Sequence, residues 1–329
     1  MKTMLVTGGA GFIGSNFIKR ELENRNDLKI INFDKLTYAG NPNNFLELKK
    51  NPRYRFVKGD VCNKRQVESA MKKTDSVVHF AAETHVDRSI NGARLFLKTD
   101  VVGTWVMLEA ARKFKVKKFV QISTDEVYGS IESGKSNEDS ALMPRNPYSA
   151  SKAGADRLAY SYFATYGMPV VITRSSNNFG PNQFPEKAIP VFLTNLIQGK
   201  RIPLYGKGEN IRDWVYVKDN CEAIGLLEEN GRNGEVYNIG AGNEMKNIEL
   251  VKAILKEFDC GNEMIEFVKD RPGHDLRYAL DFSKITRETG WKPEHGFRQA
   301  LRETIEWYRG NGWWWKPLLR KAKFGRFAK

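Results

Sequence analysis

Met4-Leu-Val-Thr-Gly-Gly-Ala-Gly-Phe-Ile-Gly14 decides the fold of this chain. A short apolar run leads into glycines at positions 8, 11 and 14, and an amphipathic segment follows at once. The order reads as a strand, a tight turn and a helix N-terminus. Gly8 permits the turn, Gly11 lets the backbone approach a pyrophosphate, and Gly14 lets the helix pack on the strand. The unpaired N–H groups and the dipole of that helix start favour an anion. Lys29-Ile-Ile-Asn-Phe-Asp34 is the next apolar run. Asp34 closes it about 20 residues on, where a ribose-binding acid is expected. Glycine-rich turns are common by themselves; the flanking strand, helix and acid make this one a dinucleotide site.

Outward from that turn, strand and helix patterns alternate, as a doubly wound parallel sheet requires. Strands are expected at Tyr54–Lys58, Ser76–Phe80, Lys118–Ser123 and Pro169–Thr173, and long helices over Arg94–Phe114 and Ser149–Gly167. Each strand ends in a small or polar residue, and in open α/β sheets the ligand lies at those carboxyl ends. Beyond Arg174 the pattern loosens, with Pro and Gly frequent from Pro181 to Gly208. Short helices and the strands Glu235–Ile239 and Ile265–Val268 suggest a smaller lobe. The expected architecture is therefore α/β: a Rossmann-type doubly wound parallel sheet with a smaller C-terminal α/β substrate lobe. The cofactor domain spans 1–175, the lobe mainly 176–312 with segments returning to the first domain, and a Trp-rich basic tail 313–329.

The chain has 329 residues, 41% of them apolar and 28% charged, an ordinary balance for a soluble globular protein. No run approaches the roughly 20 apolar residues of a membrane span. The first strand begins almost at Met1, leaving no room for a signal peptide. Cys62, Cys221 and Cys260 are odd in number and form no metal pattern, which suggests a reducing, cytoplasmic setting and no metal. The net charge of +14 suits an anionic small molecule, nucleic acid or acidic membrane lipid. The stretch from Lys316 to Lys329 is basic without an acid and reads first as a solvated tail. No nucleic-acid-binding signature accompanies the charge.

Two constellations carry chemistry. Tyr148-Ser-Ala-Ser-Lys152 places a phenol and an ammonium at i and i+4 on one helix face. A nearby ammonium favours phenolate, so Tyr148 could act as a base near neutral pH. Ser123-Thr-Asp-Glu-Val-Tyr-Gly129 follows a strand end that aims Thr124, Asp125 and Glu126 at the crevice. Adjacent buried carboxylates cannot both ionise cheaply, so one is expected to keep its proton and the pair to supply an acid and a base.

With these motifs on the page, the chain resembles the extended short-chain dehydrogenase/reductase superfamily, and within it the dTDP-glucose 4,6-dehydratases. Further matching stretches are Ala81-Ala-Glu-Thr-His-Val-Asp-Arg-Ser89, Arg174-Ser-Ser-Asn-Asn-Phe-Gly-Pro181, Phe184-Pro-Glu-Lys187, Arg212-Asp-Trp-Val-Tyr-Val217, Asn238-Ile-Gly240 and Asp270-Arg-Pro-Gly-His-Asp275. The glycine and Tyr/Lys motifs mark the superfamily; the Thr-Asp-Glu triplet and Arg-Pro-Gly-His-Asp narrow it to sugar-nucleotide 4,6-dehydratases. Asp100 stands where the family usually has Asn, and Phe179 where Tyr is usual. The resemblance runs to about Tyr308; Trp313-Trp-Trp315 lies outside it and reads as packing against the small lobe or a neighbouring subunit.

The resemblance implies NAD as cofactor and dTDP-glucose as substrate. Tyr148, helped by Lys152, would take the 4-hydroxyl proton during oxidation at C4, with Thr124 on the same oxygen. Glu126 would remove the C5 proton, Asp125 would protonate the departing 6-hydroxyl, and reduction at C6 would restore the cofactor. Cofactor contacts would come from Gly8, Gly11, Phe12, Ile13, Gly14, Asp34, Lys35, Leu36, Thr37, Asp60, Val61, Ala81, Ala82, Thr99, Tyr148, Lys152 and Asn178. Asp34 argues for NAD over NADP, because a carboxylate repels a 2′-phosphate. Substrate contacts would come from Thr84, Thr124, Asn177, Lys187, Pro203, Leu204, Tyr205, Arg212, Asn247, Arg271, Pro272, Gly273 and His274. Arg212 and Arg271 are the natural diphosphate clamps, since a guanidinium fork matches phosphate oxygens. His79, His85 and His295 read as structural. The scaffold suggests a homodimer through the two long helices. Competing readings are a nucleotide-sugar 4-epimerase or decarboxylase, a dehydratase of UDP, GDP or CDP sugars, and a non-catalytic NAD-sensing or nucleic-acid-binding protein.

Overall fold

Twelve short strands form in the computed structural model, which describes residues 1–270 and 273–322. They are β1 (Lys2–Thr7), β2 (Leu28–Asp34), β3 (Tyr54–Lys58), β4 (Ser76–His79), β5 (Lys118–Thr124), β6 (Val170–Ser175), β7 (Asn177–Phe179), β8 (Ile202–Tyr205), β9 (Ile211–Tyr216), β10 (Val236–Ile239), β11 (Glu244–Lys246) and β12 (Ile265–Val268). Seven make one sheet in the order β10-β6-β5-β4-β1-β2-β3, every pair parallel. The strand order reverses between β1 and β4, and the crevice at such a switch point is where an open α/β sheet takes its ligand.

Period-two alternation on β1 sorts the two faces. Met4 and Val6 join one core with Phe17 and Leu22 of the helix Phe12–Asn24 and Ile224 and Leu227 of the helix Val217–Asn230. Leu5 points the other way, onto Val67, Met71 and Met107. Thr7 and His79 are register partners across β1 and β4, and the buried imidazole is held between the hydroxyls of Thr7 (2.6 Å) and Thr104 (3.2 Å). Burial drives its pKa down to about 3, so it stays neutral.

The structure departs from the sequence reading in three places. β7, β8, β9 and β11 were not expected; they are short and interrupted by polar residues or Pro203, which blurs the alternation. The helix expected over Arg94–Phe114 is broken by a π-type turn at Leu97–Val102, so Ala93–Phe96 and Gly103–Lys113 are separate helical pieces. The basic stretch expected from Lys316 begins inside a helix, Gly312–Ala322, which buries Trp314, Trp315 and Leu318 while Lys316, Arg320 and Lys321 are exposed as a solvated stretch requires. Lys323, Arg326 and Lys329 lie outside the described residues.

Candidate active site

Around the switch point a cleft of about 600 Å³ opens, lined from Gly8 on one side to Trp214 on the other. Its first wall is the glycine turn. Gly8 has φ +68°, and a Cβ there would stand 2.7 Å from the Ala81 nitrogen, so β1 and β4 can close on each other only because residue 8 has no side chain. A Cβ on Gly14 would meet the Gly8 carbonyl oxygen at 2.6 Å. The helix therefore starts hard against the turn, leaving its first N–H groups on the cleft side. Asp34 accepts hydrogen bonds from the backbone N–H of Ala10 (2.9 Å) and Leu36 (2.7 Å). Burial raises its pKa while these two donors oppose the rise. A backbone cradle that added methyl groups would fill, with a carboxylate at the next strand end, fits a dinucleotide.

Of the expected cofactor residues, all but Leu36 line this cleft. Leu36 has φ +57° and packs its side chain on the core, contributing the N–H that fixes Asp34. Thr84, Thr124, Asn177 and Lys187 line the cleft as well. Pro203, Leu204, Tyr205, Arg212, Asn247, Gly273 and His274 lie outside its lining. Leu204 is core. The Tyr205 hydroxyl bonds Asp87 (3.2 Å), and its ring meets His274 edge-on. Arg212 is buried, donates to the carbonyls of Ile211 and Asp275, stacks on Tyr278 and exerts a charge effect on Asp125. Arg271 and Pro272 fall outside the described residues.

The candidate catalytic residues sit where β5 meets the helix Pro147–Tyr166. Thr124 closes β5 and caps the short 3-10 turn Asp125–Tyr128: its Oγ1 accepts the Glu126 N–H (3.3 Å) and donates to Asp125 Oδ1 (3.1 Å). Asp125 is 3% exposed, and its Oδ2 is buried without a hydrogen-bond partner. Burial, reinforced by the charge of Glu126, pushes its pKa up to about 8, so this carboxyl holds a proton at neutral pH. Glu126 is half-buried, with Oε2 facing the Asn146 amide at 3.5 Å. Asn146 also caps the helix, accepting the Ser149 N–H (2.9 Å), so one side chain sets the start of the Tyr148 helix and touches Glu126.

Tyr148 is buried, and its hydroxyl hydrogen-bonds that of Thr124. Burial raises its pKa, and the carboxyls of Glu126, Asp100 and Asp125 add to the rise. This direction is opposite to the one expected from Lys152 alone. The Lys152 ammonium donates to the Ile122 carbonyl (2.6 Å), with its pKa lowered by burial against the opposing charges of Asp100 and Asp156. Asp100 accepts from the Ser151 hydroxyl (2.6 Å) and the Glu83 N–H (2.8 Å), and burial lifts its pKa to about 6.

Sequence reasoning missed three contributors. Glu83 lines the cleft, its Oε2 is buried without a partner, and burial raises its pKa to about 7. Asn146 lay one residue ahead of the helix whose motif drew attention. Arg174 and Asp156 form a fully buried two-pronged pair (2.8 and 3.0 Å), and Arg174 also donates to the Tyr128 hydroxyl (2.8 Å), pinning the turn that carries Asp125 and Glu126. Among the described residues no group of His, Cys, Asp and Glu could hold a metal ion.

The family model described as GDP-mannose 4,6 dehydratase matches residues 5–304. The chain belongs to that family. A dTDP-glucose 4,6-dehydratase of Streptomyces niveus is 49% identical over 319 residues, 96% of this chain and 95% of its own. The crystal structure of DesIV, the dTDP-glucose 4,6-dehydratase of Streptomyces venezuelae, solved with NAD bound, superposes with a TM-score of 0.94 at 48% identity, covering 96% of this chain and 99% of its own. The UDP-glucose 4-epimerase of Thermus thermophilus, in complex with NAD, shares the fold at TM-score 0.86 and 30% identity, covering 94% of this chain and 99% of its own. The dehydratases and the epimerase thus share a scaffold, and what separates them must be sought in the side chains of the site.

Proposed function

We propose that this chain is an NAD-dependent dTDP-glucose 4,6-dehydratase, a hydro-lyase that makes dTDP-4-keto-6-deoxyglucose. The observation that carries the reading is the buried, proton-holding Asp125 beside the more exposed Glu126, both within electrostatic reach of Tyr148. A 4-epimerase needs oxidation at C4 but no second acid and base; removal of water from C5 and C6 needs both.

Bound NAD would accept electrons from C4 and return them at C6, and its positively charged ring would favour the phenolate of Tyr148. Gly8, Gly11 and Gly14, with Phe12 and Ile13, would hold its pyrophosphate, and Asp34 its ribose. Tyr148 takes the 4-hydroxyl proton while the Thr124 hydroxyl bonds the same oxygen. The resulting ketone acidifies C5–H. Glu126 accepts that proton, Asp125 gives its own to the departing 6-hydroxyl, and Glu126 returns its proton to C5 once C6 has been reduced. Burial makes Asp125 the acid and partial exposure makes Glu126 the base, a division of labour set by environment.

The same reading makes the chain a cytoplasmic homodimer. Its three cysteines are unpaired, and among the described residues no helix is long and apolar enough to cross a membrane. Leu97, Val102, Trp105 and Tyr166 leave apolar surface exposed along the segments 93–113 and 147–166. To test the activity, purified protein is mixed with dTDP-, UDP-, GDP- and CDP-glucose, and the products are followed by NMR. A 4-keto-6-deoxy sugar from dTDP-glucose is expected; a C4-inverted hexose, or turnover of another nucleotide in preference, would overturn the proposal.

A further inference from the structure

The glycine turn is tied to the far end of the chain. Trp314 lies in the helix Gly312–Ala322, past the residues that the family model matches, and is 2% exposed. Its indole N–H donates to Asn44 Oδ1 at 2.7 Å. Asn44 is itself 1% exposed and turns its Nδ2 to the carbonyl of Ala10 at 2.9 Å and, more distantly, to that of Gly11 at 3.5 Å. One amide therefore bridges the last helix and the turn between β1 and the first helix. The adjoining wall is tied in too: Asn182 Nδ2 reaches Asn44 Oδ1 (3.3 Å), the Tyr308 hydroxyl donates to the Gln183 carbonyl, and Gln183 Nε2 donates to the Asn178 carbonyl (2.9 Å). Gln183 and Asn178 both line the cleft.

We propose that the C-terminal helix is a strut for the cofactor turn, and that Trp314 is the positioning residue that sets the polarity of Asn44. This rests on the reading of the cleft as a dinucleotide site. An indole N–H can only donate and a peptide carbonyl can only accept. Between Trp314 and Ala10 the Asn44 amide therefore has one orientation. Asn182 cannot enforce it, because its own amide can turn over to match either face. Peptide units are planar, so fixing the carbonyls of Ala10 and Gly11 fixes the N–H groups of Gly11 and Phe12 on the same planes. The Gly11 N–H closes the turn on the Gly8 carbonyl (3.0 Å), and the Phe12 N–H opens the helix at the phosphate position. A donor array held in place before the ligand arrives binds more tightly, because less ordering remains to be done.

The test is NAD affinity of the full-length protein, measured by calorimetry. Trp314→Phe keeps an aromatic ring and removes the donor; it should raise the NAD Kd about three- to tenfold. Asn44→Ala should weaken binding at least as much, and the double variant should bind like Asn44→Ala alone, because both changes break one relay. Trp315→Phe is the control: its indole N–H makes an equally buried bond (2.8 Å) to the backbone carbonyl of Tyr308, a different group from the Tyr308 hydroxyl that reaches Gln183, and it makes no bond to Asn44 or the glycine turn. It should lower the melting temperature and leave the NAD Kd unchanged. Parental affinity in Trp314→Phe, equal weakening in Trp315→Phe, or simple additivity in the double variant would overturn the strut while the site reading stood. A parent protein that takes up no NAD would overturn both.

Discussion

At one end of the cleft Gly8, Gly11 and Gly14 bring backbone to the ligand by having no side chains; at the other, Asp125, Glu126 and Tyr148 bring side chains whose surroundings govern their protons. The first end is a matter of space. Its donors are main-chain groups that exist in every protein, and its requirement is that nothing stand in front of them. The second end is a matter of solvation. Asp125 has ordinary chemistry and an unusual proton affinity, produced by burial and by the charge of Glu126. On the proposed function, sterics govern recognition of the cofactor and desolvation governs the reaction, so changes at the two ends should have separable signatures.

The largest effect should come from the solvation end. Replacing Asp125 by Asn and Glu126 by Gln together should cut dehydration by about 10²–10⁴-fold, the contribution typical of general acid–base groups. Oxidation at C4 should remain visible as nicotinamide absorbance in a single-turnover trace, and product formation at the parental rate would break the comparison. At the steric end, Gly14→Ala puts a methyl carbon 2.6 Å from the Gly8 oxygen and 2.9 Å from the Gly9 Cα, both backbone atoms that cannot step aside. Equilibrium dialysis should show NAD affinity down by about tenfold or more, with the pH profile of any residual activity unmoved.

The smallest effect separates the ends by stability. Asp125 has a folded-state pKa of about 8 against an ordinary 3.8. Its folded form prefers the proton, so its contribution to stability is fully present below pH 3.8 and is lost as the pH rises through 8. Asp125→Asn, which never ionises, should melt like the parent near pH 4 and clearly higher near pH 8 by scanning calorimetry. A gap that narrows with rising pH would contradict the assignment. The proposed mechanism needs the acid form of Asp125, so dehydration should fall as the pH climbs past 8.

How much of this was legible in the residues follows the same division. The phosphate turn was readable because its logic is local: an apolar run, three glycines and Asp34 lie within one βαβ unit. The Thr124-Asp125-Glu126 triplet and Tyr148/Lys152 were readable as chemical types. Which acid keeps its proton was not, since that depends on the depth of packing and on distant charges such as Arg212 and Asp213. Arg174 with Asp156, and Asn44 with Trp314, pair residues whose separation in the chain carries no pattern. The Trp313–Trp315 run read as packing against the small lobe or a neighbouring subunit; Trp314 and Trp315 are buried, Trp313 is exposed, and Trp314 reaches Asn44 in the first half of the chain. Asp100 marked itself as a departure from the family pattern, and its place between Ser151 and Glu83 emerged only with the break in its helix.

β10 belongs in sequence to the later lobe and in space to the edge of the main sheet, where it is zipped along β6 from Val236 to Ile239. The connection out of the first domain therefore comes back, and the two halves are sewn together instead of joined by one swivel. A cut of the chain after residue 175 would therefore not part it into two self-contained units, because the later stretch supplies an edge strand to the sheet of the earlier one.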